Sequence, residues 1–130
     1  MKKVLIISFL LLFGGYGFGQ TKLDGLIISG TINQTLDYSY LVEVTFLELK
    51  IGEVAGTTNY PSIPCVGIIT FLRMEGDYYY FKESFEEEDV CVKNGTIVIH
   101  VLKGKQFSFD WYYSNKKPGS RGVLTKGKLK

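Results

Sequence analysis

Few residues of this chain have types and spacing that could do chemistry. Glu83 and Asp110 are the carboxylates best placed inside predicted strands, and two carboxylates flanking a bond are what glycoside hydrolysis requires. Nothing in their positions brings them together, so Glu83 is read first as a structural acid bonded to backbone amides or to Arg121. His100, the single histidine, stands in the run Ile97-Val98-Ile99-His100-Val101-Leu102 with no evident serine or cysteine nucleophile to activate. It is read as a barrel-facing or sheet-surface side chain. Glu86-Glu87-Glu88-Asp89 offers hard oxygen ligands, but calcium loops take carboxylates at alternating positions around a glycine, so this run is read as a solvated hairpin tip. No catalytic residue, metal or cofactor is expected.

The aromatic residues are more suggestive. Tyr78-Tyr79-Tyr80-Phe81 and Trp111-Tyr112-Tyr113 are consecutive runs, and in a strand alternate residues point to opposite faces. One set fills the interior and the other faces out or lines a mouth, where a tyrosine offers apolar area and a hydroxyl at low entropy cost. Trp111 shares its face with Phe107 and Phe109 and is expected inside, with Tyr112 outside. Tyr78, Tyr80 and Tyr112 are the candidate ligand- or partner-binding residues.

The elements that position these groups are strands. Val42, Val44 and Phe46 alternate with Glu43 and Thr45, and Phe107, Phe109 and Trp111 alternate with Ser108 and Asp110, the period-two pattern of a half-buried strand. Turn signals such as Glu75-Gly76-Asp77, Asn94-Gly95, Lys103-Gly104-Lys105 and Pro118-Gly119 separate the runs. The pattern predicts eight strands, near 24–32, 39–49, 52–59, 65–74, 77–84, 95–103, 106–114 and 120–129, the last with an outer face of lysines. Joined by short turns they form an all-β antiparallel meander. It closes into an up-and-down barrel, lipocalin-like in architecture, or splits into a two-sheet sandwich. Lipocalin membership itself is not indicated, because the sole tryptophan, Trp111, lies in the seventh strand.

Lys2 and Lys3, the apolar run Val4 to Phe13, and the glycine-rich end Gly17-Phe18-Gly19 have the order of a secretory signal peptide. Residues 1–19 are expected to be removed, leaving 20–130 as one domain. The apolar run is short of the roughly 20 residues that span a bilayer, so no stable membrane insertion follows cleavage. Without Lys2 and Lys3 the chain has 13 basic and 13 acidic residues, a balance that gives no reason to expect nucleic acid. An exported location, periplasmic or extracellular, favours a disulfide between the only two cysteines, Cys65 and Cys91. A zinc site would need more histidine than the chain has.

From Gly56-Thr57 through Tyr60-Pro61-Ser62, Cys65 and Gly67 the chain resembles a small exported bacterial domain of uncharacterised role, which is also appended to some bacterial serine/threonine kinases. The likeness continues through Phe81-Lys82-Glu83, Cys91-Val92-Lys93-Asn94-Gly95 and Phe109-Asp110-Trp111, over roughly residues 40 to 129. Asn94 stands where glycine is more usual, and the acidic run 86–89 replaces a basic or glycine-rich loop. The resemblance implies a fold and no activity. The functional expectation is therefore a non-enzymatic binding module for a small apolar ligand, a glycan or a protein. The alternative is a secreted enzyme inhibitor that presents the loop Tyr60 to Pro64.

Overall fold

The alternating runs form eight antiparallel strands: β1 (Ile27–Thr35), β2 (Tyr38–Phe46), β3 (Val54–Tyr60), β4 (Cys65–Glu75), β5 (Tyr78–Phe85), β6 (Gly95–Val101), β7 (Gln106–Tyr112) and β8 (Pro118–Lys126). The structure is a computed structural model that describes residues 21–35, 37–63, 65–85, 91 and 95–129. The expected signal peptide and the acidic run Glu86 to Asp89 lie outside these residues. Each strand pairs with the next, and β1 closes on β8 through Ile28–Lys126 and Ile32–Gly122. Closure selects the barrel over the sandwich and leaves no free sheet edge. Among the described residues there is no helix long and apolar enough to cross a membrane.

Three local expectations are corrected by hydrogen bonding and register. The first strand begins at Ile27 because the preceding residues form a turn. Thr21 Oγ1 donates to Asp24 Oδ1 at 2.7 Å, and that carboxylate oxygen also accepts the Leu49 N–H at 3.1 Å. Pro118-Gly119 is not a turn but the start of β8, where a proline needs no ladder donor. The turn is instead closed by Tyr113 N–H to the Lys117 carbonyl at 2.9 Å, with Lys116 at φ 70°. Finally, β8 does not carry an outer row of lysines. Its register sets Leu124 opposite Phe107 and buries it, so Lys126 belongs to the inward row beyond the end of the core, and Arg121, Val123 and Thr125 face out.

The interior differs between the two ends of the barrel. At the end that holds the Thr21–Asp24 turn, Leu23 is fully buried and plugs the opening. Phe46, Phe71, Phe81 and Phe109 fill the space beside it, with Phe71–Phe81 and Phe46–Phe81 ring centroids 5.5 and 5.6 Å apart. Each such side chain contributes about 1.5–3 kcal/mol by its removal from water. The opposite end, where β1–β2, β3–β4, β5–β6 and β7–β8 connect, is not filled.

Candidate functional site: an aromatic cup over a buried carboxylate

In β5 the inward row runs Tyr79, Phe81, Glu83, so a carboxylate occupies a slot that the pattern would give to an apolar side chain. Glu83 is completely inaccessible to solvent. Three donors surround it: Thr58 Oγ1 at 2.5 Å and Tyr60 Oη at 2.6 Å, both to Oε2, and Trp111 Nε1 at 2.7 Å to Oε1. Thr58 and Tyr60 share the inward face of β3, and Trp111 lies on β7, so neither donor strand is adjacent to β5.

Two glycines allow the side chains to reach across the intervening strands. A Cβ on Gly67 of β4 would lie 2.6 Å from Thr58 Oγ1 and 3.1 Å from Glu83 Cγ. On the other side Gly95 of β6 stands directly opposite Glu83, and a Cβ there would come within 2.2 Å of the Trp111 ring. The missing side chains on β4 and β6 are thus the space that the hydrogen-bonded cluster occupies.

Burial pushes the Glu83 carboxyl above its ordinary pKa, and the hydrogen bonds from Thr58, Tyr60 and Trp111 oppose that rise. Burial, followed by the Glu83 charge, raises the Tyr60 phenol well above its usual value. Among the described residues no buried side-chain nitrogen or oxygen lacks a partner. Glu83 is therefore a satisfied acid rather than one poised against a second carboxylate. Asp110, the other candidate, is on the outer face of β7, where its Oδ1 accepts from Arg121 Nε at 3.1 Å. The two carboxylates lie on opposite sides of the barrel wall, and Arg121 pairs with Asp110 and not with Glu83.

Above Glu83 the open end forms a cup of about 320 Å³. Tyr38 and Tyr40 extend the inward row of β2 beyond Val42 and Val44, and Tyr60 continues the same wall, with ring centroids 5.6 and 5.9 Å apart in succession. Tyr113 meets Trp111 edge-on at 4.8 Å on the facing side. Tyr40 Oη and Ser120 Oγ are 2.7 Å apart, and burial raises the Tyr40 phenol above its ordinary pKa. Cys65 and Cys91 are joined in a disulfide, and both line the cup together with Ile63. Of all the described residues lining it, only Glu83 carries a formal charge.

The aromatic candidates from sequence are placed on the outside. Tyr78 stacks on His100 across β5 and β6, centroids 3.9 Å apart and rings within 7° of parallel, and Arg73 lies 3.9 Å over the Tyr80 ring. Tyr112 faces outward and lines a separate depression of about 590 Å³ with Asp110 and Arg121. None of the three lines the cup. The tyrosines that do, Tyr38, Tyr40, Tyr60 and Tyr113, had a signal in the sequence. Tyr38 and Tyr40 continue the alternation of Val42, Val44 and Phe46, and Tyr113 shares the Trp111 face.

Among the described residues no group of three or more histidine, cysteine or acidic side chains could hold a metal ion. Compared with protein-family models, curated proteins and solved structures, the chain finds no match.

Proposed function

We propose that this protein is an exported, non-enzymatic binding module that takes a small ligand into the aromatic cup. One observation carries the reading: a barrel filled with phenylalanines in one half opens, in the other, into a walled cavity of about 320 Å³. Pockets for small molecules begin near this volume and are mostly apolar with a few convergent polar groups. The disulfide is compatible with an oxidising compartment and supports export. The outer wall presents Thr57, Asn59, Lys82 and Arg121 to solvent between exposed apolar side chains such as Val66 and Val123, around an apolar and aromatic interior, whereas a barrel that faces lipid has a continuous apolar outer band and a polar interior. The Tyr60–Ile63 turn leans over the cup, with Tyr60 buried and Ile63 in its lining. Only Pro61 and Ser62 of this turn are exposed, a short element for the inhibitor reading to present.

The resembled exported domain enters the same reading. Tyr60, Gly67, Gly95 and Trp111, all quoted in that pattern, meet around Glu83 at the base of the cup, and Cys65 of the same pattern lines the cup, which supports a shared site. Native mass spectrometry of protein recovered from the extracytoplasmic fraction is expected to show an adduct of small-molecule mass that Tyr40→Ala removes. An adduct-free protein whose Trp111 fluorescence responds to no member of a metabolite library would count against binding in the cup.

A further inference from the structure

We infer that the cup selects a small organic cation, an ammonium group carrying methyl or other short alkyl substituents, held between the tyrosine walls above Glu83. The inference rests on the binding reading and adds the charge and size of the ligand.

The charge follows from what lines the cavity. Its described lining includes no lysine, arginine or histidine and one carboxylate. That carboxylate is wholly removed from water and accepts from three donors, so in its ionised form solvent and salt screen its field less than they would at a surface. A bound carboxylate or phosphate would meet this field without a compensating cation. The hydroxyls nearest the floor are engaged with the protein: Thr58 and Tyr60 donate to Glu83, and Tyr40 pairs with Ser120.

The walls favour the opposite sign. Tyr38, Tyr40 and Tyr60 form a continuous rank on one side, and Trp111 with Tyr113 forms the other. Aromatic faces carry negative quadrupole density and attract an ammonium or alkylammonium group, most strongly where water is excluded. A metal ion is a poorer occupant. It needs several oxygen ligands, whereas both Glu83 oxygens already accept hydrogen bonds. An alkylammonium needs no directed ligand, only ring contact and a negative field. The volume, near the lower bound for ligand pockets, favours a head group of a few heavy atoms.

Trp111 is the only tryptophan in the chain, so its indole N–H gives a single, unambiguous resonance at the floor of the cup. In ¹⁵N-labelled full-length exported protein, choline is expected to shift that resonance. The uncharged carbon isostere 3,3-dimethylbutan-1-ol should bind about tenfold more weakly, the loss expected for a partly desolvated cation–π site. Butyrate should leave the resonance unmoved. Tyr38→Leu, at the half-open rim, keeps apolar bulk but removes a ring face. It should weaken choline and leave the isostere unchanged. Glu83→Gln should weaken choline as well, its spectrum reporting whether the fold is kept; if that variant unfolds, the Tyr38→Leu comparison decides. Equal affinity for choline and its isostere, or an equal loss of both in Tyr38→Leu, overturns cation selection while leaving a binding cup. No response of the indole to any of the three overturns cation selection, and the adduct measurement then judges the binding reading separately.

Discussion

The Trp111 indole donates to Glu83 across an intervening strand: Nε1 and Oε1 are 2.7 Å apart, with Gly95 of β6 beneath the ring. A carboxylate removed from water carries a desolvation cost of several kcal/mol unless its hydrogen bonds are restored. Here they are restored by donors from β3 and β7 at once. The bonds therefore fix the relative placement of five consecutive strands, β3 to β7, around one side chain. A slip of one residue in β3, β5 or β7 would turn its bonding group outward.

The indole is expected to be worth much more than its neighbour. Trp111→Ala should destabilise the barrel by roughly 3–5 kcal/mol, as aromatic truncations in cores do, and additionally leave Glu83 a donor short. Tyr112→Ala, on the outer face, should cost about 1 kcal/mol or less. Urea denaturation followed by circular dichroism measures both. A larger loss for Tyr112→Ala would reverse the assignment of faces.

Gly95→Ala probes the geometry from the other side. A methyl group 2.2 Å from the ring must displace the indole, and such overpacking typically costs about 1–3 kcal/mol. If the damage acts through the lost Trp111–Glu83 bond, Gly95→Ala combined with Trp111→Phe should cost less than the two single changes added together. Strict additivity in a double-mutant cycle would mean that the glycine serves another purpose.

The alternation of β2, β4 and β7 made the barrel legible in the sequence, as did the disulfide and the inward place of Trp111. What alternation could not supply is the parity of a strand whose two faces look alike. In Tyr78-Tyr79-Tyr80-Phe81 both rows are aromatic, and only the pairing of Tyr79 with Ile99 and Phe81 with Ile97 shows which row is inside. For the same reason Glu83 and Asp110 looked equivalent. Each sits in an alternating run, but Glu83 belongs to the row of Phe81 and Asp110 to the row opposite Trp111. The Glu83 cluster joins strands that are not neighbours, a relation that no local period encodes.

The raised pKa of Glu83 has a sign that can be tested. Because the folded carboxyl holds its proton to higher pH than the unfolded one, its contribution to stability is fully present below the unfolded value, about 4.3. It is lost as pH rises through the folded value. The stability of the native protein relative to Glu83→Gln should therefore decline from acid toward neutral pH, other carboxylates being common to both. Urea titrations across that range measure the difference. A difference that grows with pH would show that the three donors outweigh desolvation.

The disulfide joins the start of β4 to the connection between β5 and β6, spanning 26 residues, a loop whose closure is worth roughly 3–4 kcal/mol on chain-entropy grounds. Every strand of the barrel is also held by its ladder on both sides, so the Cys65→Ser/Cys91→Ser double variant should keep its β-sheet circular dichroism while losing stability of that order. The effect should not be uniform. Cys91 is the described point at which the β5–β6 connection is tied down, and both cysteines line the cup. Amide exchange should accelerate most at Phe85, Val66 and Gly95, with the Leu23-plugged half retaining its relative protection. Ligand response at the Trp111 indole should weaken in parallel. Uniform acceleration through both halves of the barrel would show that the staple supports the whole fold rather than the rim of the cup.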